Sequence, residues 1–366
     1  MSSPCAEALR GPGSFGWEPG GRRGAALPGR WTWAPGVDYR TDVPSRSWRQ
    51  SRMTGHRDGL ASYDPDAPLL AMTYGITGHS GKDALWPALV ETTAWLGGRG
   101  LAYRLDRPLA EGLAARGLAD SAHTAAATDD PVAGVDVLLS FGGDGTMLRS
   151  AHRAGTSGPP ILGVNVGRLG YLTRADVGEV ADVLAQVEAG HYSVEDRTTL
   201  DVTVEGAEAP GLPAWALNDV VVDKSGTTSM IQIETSVDGL FLNTYWADGL
   251  VVATPTGSTA YALSVGGPIV VPSGADVVVV APIAPHTLTA RPIVLPAACE
   301  LALRVATRDA AFAFAVDGIS ALLPGHADVT IRVRRSAGTV RLVTLPGRDV
   351  FATLRDKLSW GKGGVF

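Results

Sequence analysis

The sequence has too few cysteines and too short an apolar run for a disulfide-stapled, zinc-bound or membrane-spanning protein. Only two cysteines occur in 366 residues, Cys5 and Cys299. That number is too small for a disulfide framework or a cysteine-based zinc site. The most apolar run, Val277 to Ala284, is short and interrupted by Pro282, and nothing is long enough to cross a bilayer. These absences predict a cytoplasmic protein without a membrane partner.

An excess of basic residues is also lacking. The formal net charge is −6, which argues against a nucleic-acid-binding protein that relies on attraction to phosphates. An anionic ligand would have to be held by backbone amides, a metal ion or local arginines. Hydrophobic residues make up 45% and charged residues 19% of the chain, as in ordinary globular proteins. The length is sufficient for two domains with their own cores.

Residues 1–66 differ in kind from the rest of the chain. They are rich in Gly, Pro, Arg and Trp, and show neither apolar periodicity nor the apolar region of a signal peptide. We therefore predict a disordered tail over residues 1–66. Its tryptophans would suit a binding tail, but the composition favours translation starting near Met53 or Met72.

The most informative stretch is Val135 to Thr146, Val-Asp-Val-Leu-Leu-Ser-Phe-Gly-Gly-Asp-Gly-Thr. Its apolar run predicts a strand covered on both faces. Gly142, Gly143 and Gly145 then allow tight or positive-φ backbone angles and close approach of a ligand. Thr146 is expected to open the following helix. A strand, a glycine turn and a helix N-terminus together predict an anion site made of backbone N–H groups.

Asp144 is the unexpected member of this stretch, because a carboxylate repels phosphate. It is understandable if the site must also accept a proton from a hydroxyl group that attacks the phosphate. The stretch is not a P-loop, since no Gly-Lys-Ser/Thr follows. It is not the dinucleotide fingerprint either, since Leu148 stands where the third glycine belongs. A simple sharp turn with a turn-forming aspartate is the alternative.

The two halves of the remaining chain have different patterns. Strand and helix patterns alternate from about residue 69 to residue 197, which predicts a βαβ arrangement with a parallel sheet. From Leu200 to about Leu345, short alternating strands and Asp-Gly turns at Asp238 and Asp317 predict an all-β, sandwich-like domain. An amphipathic helix is expected over 351–360.

Two further stretches have the side chains of a nucleotide site. The first runs from Asp248 to Ser264 and contains Thr254-Pro-Thr-Gly-Ser-Thr-Ala-Tyr-Ala-Leu-Ser. It predicts a strand followed by a turn with hydroxyl donors, small residues and the aromatic face of Tyr261. The second is Asn218-Asp219, which is suited to a base edge and to ribose hydroxyls. A Ser/Thr-rich surface turn and an Asx turn are their simpler interpretations.

Together these stretches resemble the NAD kinase family. Gly142-Gly143-Asp144-Gly145-Thr146 is similar to its signature loop, and the Thr254–Ser264 block and Asn218 follow its pattern. Asp219 stands where the family usually has Glu, and Ser229 where it often has Arg or Lys. The resemblance implies a Rossmann-like α/β domain (67–197, completed by 346–366) and a β-rich NAD-binding domain (198–345).

The resemblance also implies a reaction and a set of site residues. ATP or inorganic polyphosphate, with Mg²⁺, would phosphorylate the 2′-hydroxyl of the adenosine ribose of NAD to give NADP. Asp144 would take the hydroxyl proton, and the donor phosphates would lie on Gly142, Gly143, Gly145 and Thr146. Residues expected at the NAD are Asp144, Gly145, Arg149, Asn218, Asp219, Asp248, Thr259, Ala260, Tyr261, Ala262, Leu263 and Ser264. The protein ligand of the metal is left open.

The family resemblance further implies a homodimer or homotetramer. Two other functions remain as alternatives. One is a diacylglycerol-type lipid kinase or another small-molecule kinase on the same scaffold, which would share the glycine loop but is not expected to have the Thr254–Ser264 block. The other is a dinucleotide sensor without catalysis, against which Asp144 argues.

Overall fold

The fold is an α/β region built on a parallel sheet, followed by a β-sandwich. The computed structural model describes residues 72–167, 170–226, 228–325, 328–347 and 350–360. The predicted tail over residues 1–66 lies outside this part of the chain. No helix in the described residues is long and apolar enough to cross a membrane.

The first region alternates strands and helices. The strand β4 (Val137–Gly142) is buried at all six positions, because helices cover both faces of a parallel sheet. The order of the parallel strands is β3-β2-β1-β4-β5, with β6 pairing β5. The elements are β1 (Thr73–Gly78), α1 (Leu85–Gly98), β2 (Ala102–Asp106), α2 (Arg107–Ala115), α3 (Ser121–Ala126), β3 (Ala127–Thr128), β4 (Val137–Gly142), α4 (Asp144–Ala154), β5 (Ile161–Asn165), β6 (Ala175–Asp176) and α5 (Val180–Glu188).

The second region consists almost entirely of antiparallel strands. Buried positions alternate with partly or fully exposed ones in strands such as β15 (Leu301–Ala306), the pattern of a sheet with one face on a core. The elements are β7 (Ser193–Glu205), β8 (Trp215–Ala216), β9 (Asp219–Lys224), β10 (Ile231–Val237), β11 (Leu240–Ala247), β12 (Gly249–Ala253), α6 (Tyr261–Ser264), β13 (Val277–Ile283), β14 (Ile293–Pro296), β15 (Leu301–Ala306), β16 (Ala311–Val316), β17 (Ile319–Pro324), β18 (Val329–Thr344) and α7 (Val350–Leu358).

Two sheets pack face to face in this second region. One is the extension of the parallel sheet through β18, β15, β10 and β11, and the other has the order β14-β13-β12-β9-β16-β17. Ile233 and Leu303 from the first sheet share one buried core with Val222, Val252 and Phe314 from the second. The predicted fold class, an α/β region followed by a β-sandwich, is therefore confirmed.

The long strand β18 joins the two regions. It pairs antiparallel with β7 over most of its length and with β15 over residues 329–333. Near its end, Leu342 is paired in parallel with Ile161 of β5. One continuous sheet therefore runs from the parallel strands into the sandwich. The predicted domain limits at residues 197 and 345 stay a prediction.

Both Asp-Gly hairpin predictions are confirmed. Asp238 and Gly239 have φ angles of 50° and 78°, and Asp317 and Gly318 have φ angles of 48° and 79°. These residues connect β10 to β11 and β16 to β17. Two adjacent positive φ angles belong to the turn type whose twist matches that of the flanking strands.

Candidate active site

The glycine loop lies at the carboxyl end of β4. The strand ends at Gly142, Gly143 is the N-cap, and α4 begins at Asp144. The expectation that Thr146 opens the helix is wrong by two residues. Of the two expected alternatives, tight or positive-φ backbone angles, positive φ is not found, since Gly142, Gly143 and Gly145 are absent from the residues with positive φ. Gly142 is needed for space instead, because a Cβ there would lie 2.2 Å from the hydroxyl oxygen of Thr146.

The start of α4 leaves backbone donors exposed. The amides of Thr146 and Met147 both donate to the carbonyl of Gly143, whereas amides at the very first positions of a helix have no acceptor within the helix. A Cβ at Gly143 or Gly145 would meet no other atom within 4 Å. The loop therefore presents open backbone at the positive end of the helix dipole, which suits bound phosphate.

Asp144 is held in place by a second loop. Its Oδ2 accepts a hydrogen bond of 2.9 Å from the amide of Tyr171, and its Oδ1 accepts one of 2.9 Å from the amide of Leu172. Gly170 makes this contact possible, because a Cβ there would lie 2.1 Å from Oδ1 of Asp144. Burial, together with the charge of Asp144, raises the pKa of the Tyr171 phenol. The carboxylate is thus fixed beside an aromatic ring before any substrate arrives.

The Thr254 turn of the second stretch is fixed by its own buried hydroxyls. The Thr254 hydroxyl donates to the Leu217 carbonyl at 2.6 Å and accepts from the Gly257 amide at 3.0 Å. The Ser258 hydroxyl donates to the Pro255 carbonyl at 2.7 Å. Both side chains are fully buried. They therefore shape the turn and are not free to bind a ligand.

Asn218 and Asp219 lie directly against this turn. A Cβ at Gly257 would lie 2.0 Å from the carbonyl oxygen of Asn218. The side-chain Oδ1 of Asn218 is buried and has no hydrogen-bond partner among the described residues, which leaves an acceptor for a ligand N–H group. Burial and the nearby charge of Asp317 raise the pKa of Asp219 to about 7, although the Tyr261 amide donates to it.

Asp317 connects the two sides of the site. Its Oδ1 accepts from the amides of Asn218 at 2.7 Å and Asp219 at 3.2 Å, and its Oδ2 accepts from the amide of Leu217 at 2.7 Å. Oδ2 also lies 2.8 Å from Nε2 of His152 on α4. The His152 ring packs on Trp215 with 4.2 Å between centroids. The helix of the glycine loop is therefore tied to the strand that begins with Asp219.

The remaining predicted residues fall into exposed and buried groups. Tyr261 is 38% exposed, and burial and the charges of Asp223, Asp219 and Asp248 raise the pKa of its phenol. Asp248 forms an ion pair of 2.7 Å with Lys224. Ser264 is exposed, and Thr259, Ala260 and Leu263 are partly exposed. The Ala262 side chain is fully buried, so only its backbone remains for a ligand.

Arg149 and Thr146 contact each other at the start of α4. The exposed Arg149 donates from Nη2 to the hydroxyl of Thr146 at 3.2 Å. Thr146 itself is only 5% exposed. Arg149 is thus available to a ligand, whereas the Thr146 side chain mainly braces the loop.

A cavity lies between the loop that holds Asp144 and the Thr254 turn. Tyr171 and Leu172 line one side, Thr256 and Thr259 line another, and Leu354 of α7 closes it. The structure thus brings Thr259 into one cavity with Tyr171 and Leu172, the two residues whose amides hold Asp144.

Three residues of this arrangement were not found from the sequence. Tyr171 and His152 were assigned no role, and Asp317 was predicted only as a hairpin residue. An Asp-Gly pair signals a turn, but nothing in the local sequence indicates that the carboxylate accepts three distant amides. Only the pairing of β16 with β9 places Asp317 there.

Comparison with protein families gives two matches. Residues 95–192 match the model of the ATP-NAD kinase N-terminal domain, and residues 217–345 match that of the ATP-NAD kinase C-terminal domain. Among curated relatives, an NAD kinase of Cupriavidus pinatubonensis is 46% identical over 226 residues, which are 62% of this chain and 73% of the relative. An NAD kinase of Symbiobacterium thermophilum is 44% identical over 239 residues, 64% of this chain and 82% of the relative.

Solved structures agree at the level of the fold. Yeast NADH kinase complexed with NADH has a TM-score of 0.71 and 24% identity, with 81% of this chain and 89% of that chain covered. An NAD kinase from Archaeoglobus fulgidus in complex with ATP has a TM-score of 0.59 and 24% identity, with 79% and 99% covered. On the family models and the curated relatives, the chain belongs to the NAD kinase family and is a phosphotransferase.

Proposed function

We propose that the protein transfers the terminal phosphoryl group of ATP to the 2′-hydroxyl of the adenosine ribose of NAD, with Asp144 as the general base. The observation that carries this proposal is the position of Asp144. Its carboxylate stands at the first position of α4, fixed through both oxygens by the amides of Tyr171 and Leu172. It is therefore beside backbone donors for phosphate, and the two residues that hold it line the same cavity as Thr259.

The donor phosphates would lie on the backbone of Gly142, Gly143 and Gly145, with Arg149 nearby. Phosphoryl transfer passes through a loose transition state, so positioning and neutralisation of charge account for most of the catalysis. Backbone amides at a helix start are suited to both, because they are fixed before the reaction.

Asp144 would act during the transfer and not before it. A carboxylate is too weak a base to remove a proton from a sugar hydroxyl beforehand. It orients the hydroxyl and receives the proton while the new bond to phosphorus forms, a role worth about 10²–10⁴ in rate. Each carboxylate oxygen already accepts a hydrogen bond from one amide, so the side chain of Asp144 needs little rearrangement when the hydroxyl arrives.

The NAD would bind against the Thr254 turn. The free acceptor Oδ1 of Asn218 is suited to an amino group of the adenine base. Tyr261 and Ser264, which are exposed, and Thr259, which is partly exposed, would offer polar groups along the adenosine, with backbone contacts from Ala260, Ala262 and Leu263. Asp219 and Asp248 would face the ribose and the other end of the dinucleotide. Yeast NADH kinase, a structural relative, is complexed with NADH.

We further propose that Mg²⁺ arrives with the donor phosphates. The described residues contain no cluster of three His, Cys, Asp or Glu side chains that could hold a metal ion. Mg²⁺ in kinases is commonly bound through phosphates with one or two carboxylates, and Asp144 is the carboxylate at hand. When bound, the ion neutralises charge on the phosphates. Polyphosphate as donor, the homodimer or homotetramer and the cytoplasmic location stay predictions.

A product assay tests the proposal. Purified protein is incubated with NAD, ATP and Mg²⁺, and the product is identified by mass and by the position of the phosphate. We expect a dinucleotide phosphorylated at the 2′-oxygen of the adenosine ribose. A phosphorylated diacylglycerol in a parallel incubation, with NAD unchanged, would establish the lipid-kinase alternative and contradict the proposal. Failure to form any product from NAD would favour the sensor.

A further inference from the structure

A lysine in the loop after the first parallel strand is linked to the glycine loop by two successive hydrogen bonds. Lys82 follows β1 and precedes α1. Its ammonium donates to the carbonyl of Val166 at 2.6 Å. The amide of Val166 in turn donates to the carbonyl of Gly142 at 3.1 Å. Val166 thus connects Lys82 to Gly142, the first glycine of the loop, through these two hydrogen bonds.

The sheet topology brings these three segments together. Strand β4 lies between β1 and β5, with Gly78 opposite Phe141 and Gly142 opposite Asn165. The segments that follow β1, β4 and β5 therefore meet at one edge. Ligands of open parallel sheets bind at this carboxyl edge. A cation on the segment after β1 is therefore at the same edge of the sheet as the start of α4.

Lys82 has unused capacity for a ligand. An ammonium has three N–H donors, and the Val166 carbonyl takes one. No carboxylate among the described residues lies within ion-pair distance of Lys82. The other two lysines of the described part are engaged differently, Lys224 with Asp248 at 2.7 Å and Lys357 over the Tyr171 ring at 5.5 Å.

The backbone next to Lys82 keeps the ammonium accessible. Gly167 has a φ of +128°, a conformation that favours glycine, and its missing Cβ would lie 3.5 Å from Nζ of Lys82. Gly167 is exposed and Lys82 is partly exposed. A side chain at position 167 would lie between the Lys82 ammonium and the solvent.

We propose that Lys82 is a binding residue for the phosphate chain of the phosphoryl donor. This inference rests on the proposed function. A triphosphate carries several negative charges, and the chain as a whole is acidic, with a net charge of −6. A local cation beside the amide donors supplies attraction that the global charge does not. The donor, not the dinucleotide, is the ligand, because Lys82 bonds to Val166 directly after the parallel strand β5, whereas the residues proposed along the adenosine of NAD belong to the sandwich.

Three substitutions separate charge from structure. Lys82→Gln retains an N–H donor for the Val166 carbonyl but removes the charge, Lys82→Arg retains the charge, and Lys82→Ala removes both. Lys224→Ala removes a lysine on the side proposed for NAD. Arg99→Ala, an exposed arginine stacked on Trp95 at 3.9 Å, is the control for loss of one positive charge.

Steady-state kinetics test the proposal, with ATP varied at saturating NAD and NAD varied at saturating ATP. We expect Lys82→Gln and Lys82→Ala to raise KM for ATP about tenfold or more, with KM for NAD changed less than about twofold. Lys82→Arg should recover much of the loss. Lys224→Ala should raise KM for NAD more than KM for ATP, and Arg99→Ala should change neither KM value. Unchanged KM for ATP in a folded Lys82→Gln, or an equal rise in both KM values, would overturn the proposal.

A binding measurement separates this inference from the proposed function. Inorganic tripolyphosphate with Mg²⁺ is titrated into the unmodified protein and into Lys82→Gln, and the shift in melting temperature is recorded. We expect a shift in the first that is strongly reduced in the second, even if the protein were to phosphorylate a substrate other than NAD. Equal shifts would contradict the role of Lys82, while NADP formation by the unmodified protein would leave the proposed function intact.

Discussion

The two sides of the candidate site are built in different ways. The donor side is local backbone: a strand end, a glycine turn and the first amides of α4, all within residues 137–147. The acceptor side is assembled from distant pieces, because Asn218, Thr254 and Asp317 meet only when the second sheet forms. Local geometry can therefore be recognised from sequence, whereas the acceptor side depends on long-range pairing.

The two sides are joined at two points. The His152–Asp317 pair, with 2.8 Å between Nε2 and Oδ2, links α4 to the turn after β16. Leu217, the residue before Asn218, also packs in one buried cluster with Met147 and Ala151 of α4. A change on one side can therefore be transmitted to the other, and the variants below measure how far the two sides act separately.

The largest effect is expected on the donor side, from Asp144→Asn. The amide side chain cannot take the hydroxyl proton, so kcat should fall by about 10²–10⁴. Binding of NAD, measured by calorimetry, should change little, because Asn218 and the Thr254 turn, which would hold the adenosine, are untouched. A variant with near-normal turnover would show that Asp144 is not the base.

A smaller donor-side effect is expected from Gly170→Ala. The new Cβ would collide with Oδ1 of Asp144, and the flexible carboxylate rather than the backbone would give way. Displacement of a catalytic group by about 1 Å costs about 10² in rate. The protein should remain folded, with a kcat reduced by about this factor.

Gly97→Ala is the matched control for Gly170→Ala. Gly97 is in α1, and a Cβ there would meet no atom within 4 Å. Alanine favours a helix more than glycine does, so its melting temperature should stay equal or rise and its kcat should be unchanged. If both alanine variants had the activity of the unmodified protein, the tight contact at Gly170 would not hold Asp144 in its active position.

Asp317→Ala tests the acceptor side by stability. It would leave three buried amides without an acceptor, a loss of about 3 kcal/mol or more in the free energy of unfolding. KM for NAD should rise more than KM for ATP, because Asn218 and Asp219 lose their support. Denaturant unfolding and steady-state kinetics measure the two effects.

Asp238→Ala is the control for the hairpin itself. Asp238 has nearly the same φ as Asp317 and also begins an Asp-Gly turn, but its side chain accepts from the amide of Glu300 and not from those of residues 217–219. The difference in stability loss between the two variants measures what the hydrogen bonds of Asp317 to residues 217–219 contribute. Equal losses of stability would assign the whole effect of Asp317 to its turn.

The smallest effect is a dependence of stability on pH through Asp219. Burial and Asp317 raise the pKa of this carboxyl to about 7, so the folded state binds a proton that the unfolded state releases near its ordinary value of about 3.9. The stability contributed by this group is present below that ordinary value and is lost as the pH rises through about 7. Asp219→Asn should therefore raise the melting temperature more at pH 8 than at pH 5. An equal shift at both pH values would contradict the raised pKa.

The features that could be predicted from the sequence are those formed by neighbouring residues, and the features that were missed depend on distant partners. The sequence predicted four features that each have a local signal. They are the strand before Gly142, the glycine loop, both Asp-Gly hairpins and the change from parallel to antiparallel strands. The start of α4 at Asp144 was misplaced, because a glycine N-cap gives no side-chain signal in place of Ser or Thr. Gly170, His152 and the network of Asp317 were missed, because their partners are 26 or more positions away.

The most direct test of the account is the structure of the protein with NAD bound. The measured quantity is the distance between the nearer carboxylate oxygen of Asp144 and the 2′-oxygen of the adenosine ribose. The account predicts a hydrogen bond of about 2.6–3.2 Å, with the amides of Tyr171 and Leu172 still donating to the carboxylate. A ribose beyond the reach of Asp144, with the carboxylate turned away from it, would contradict the account.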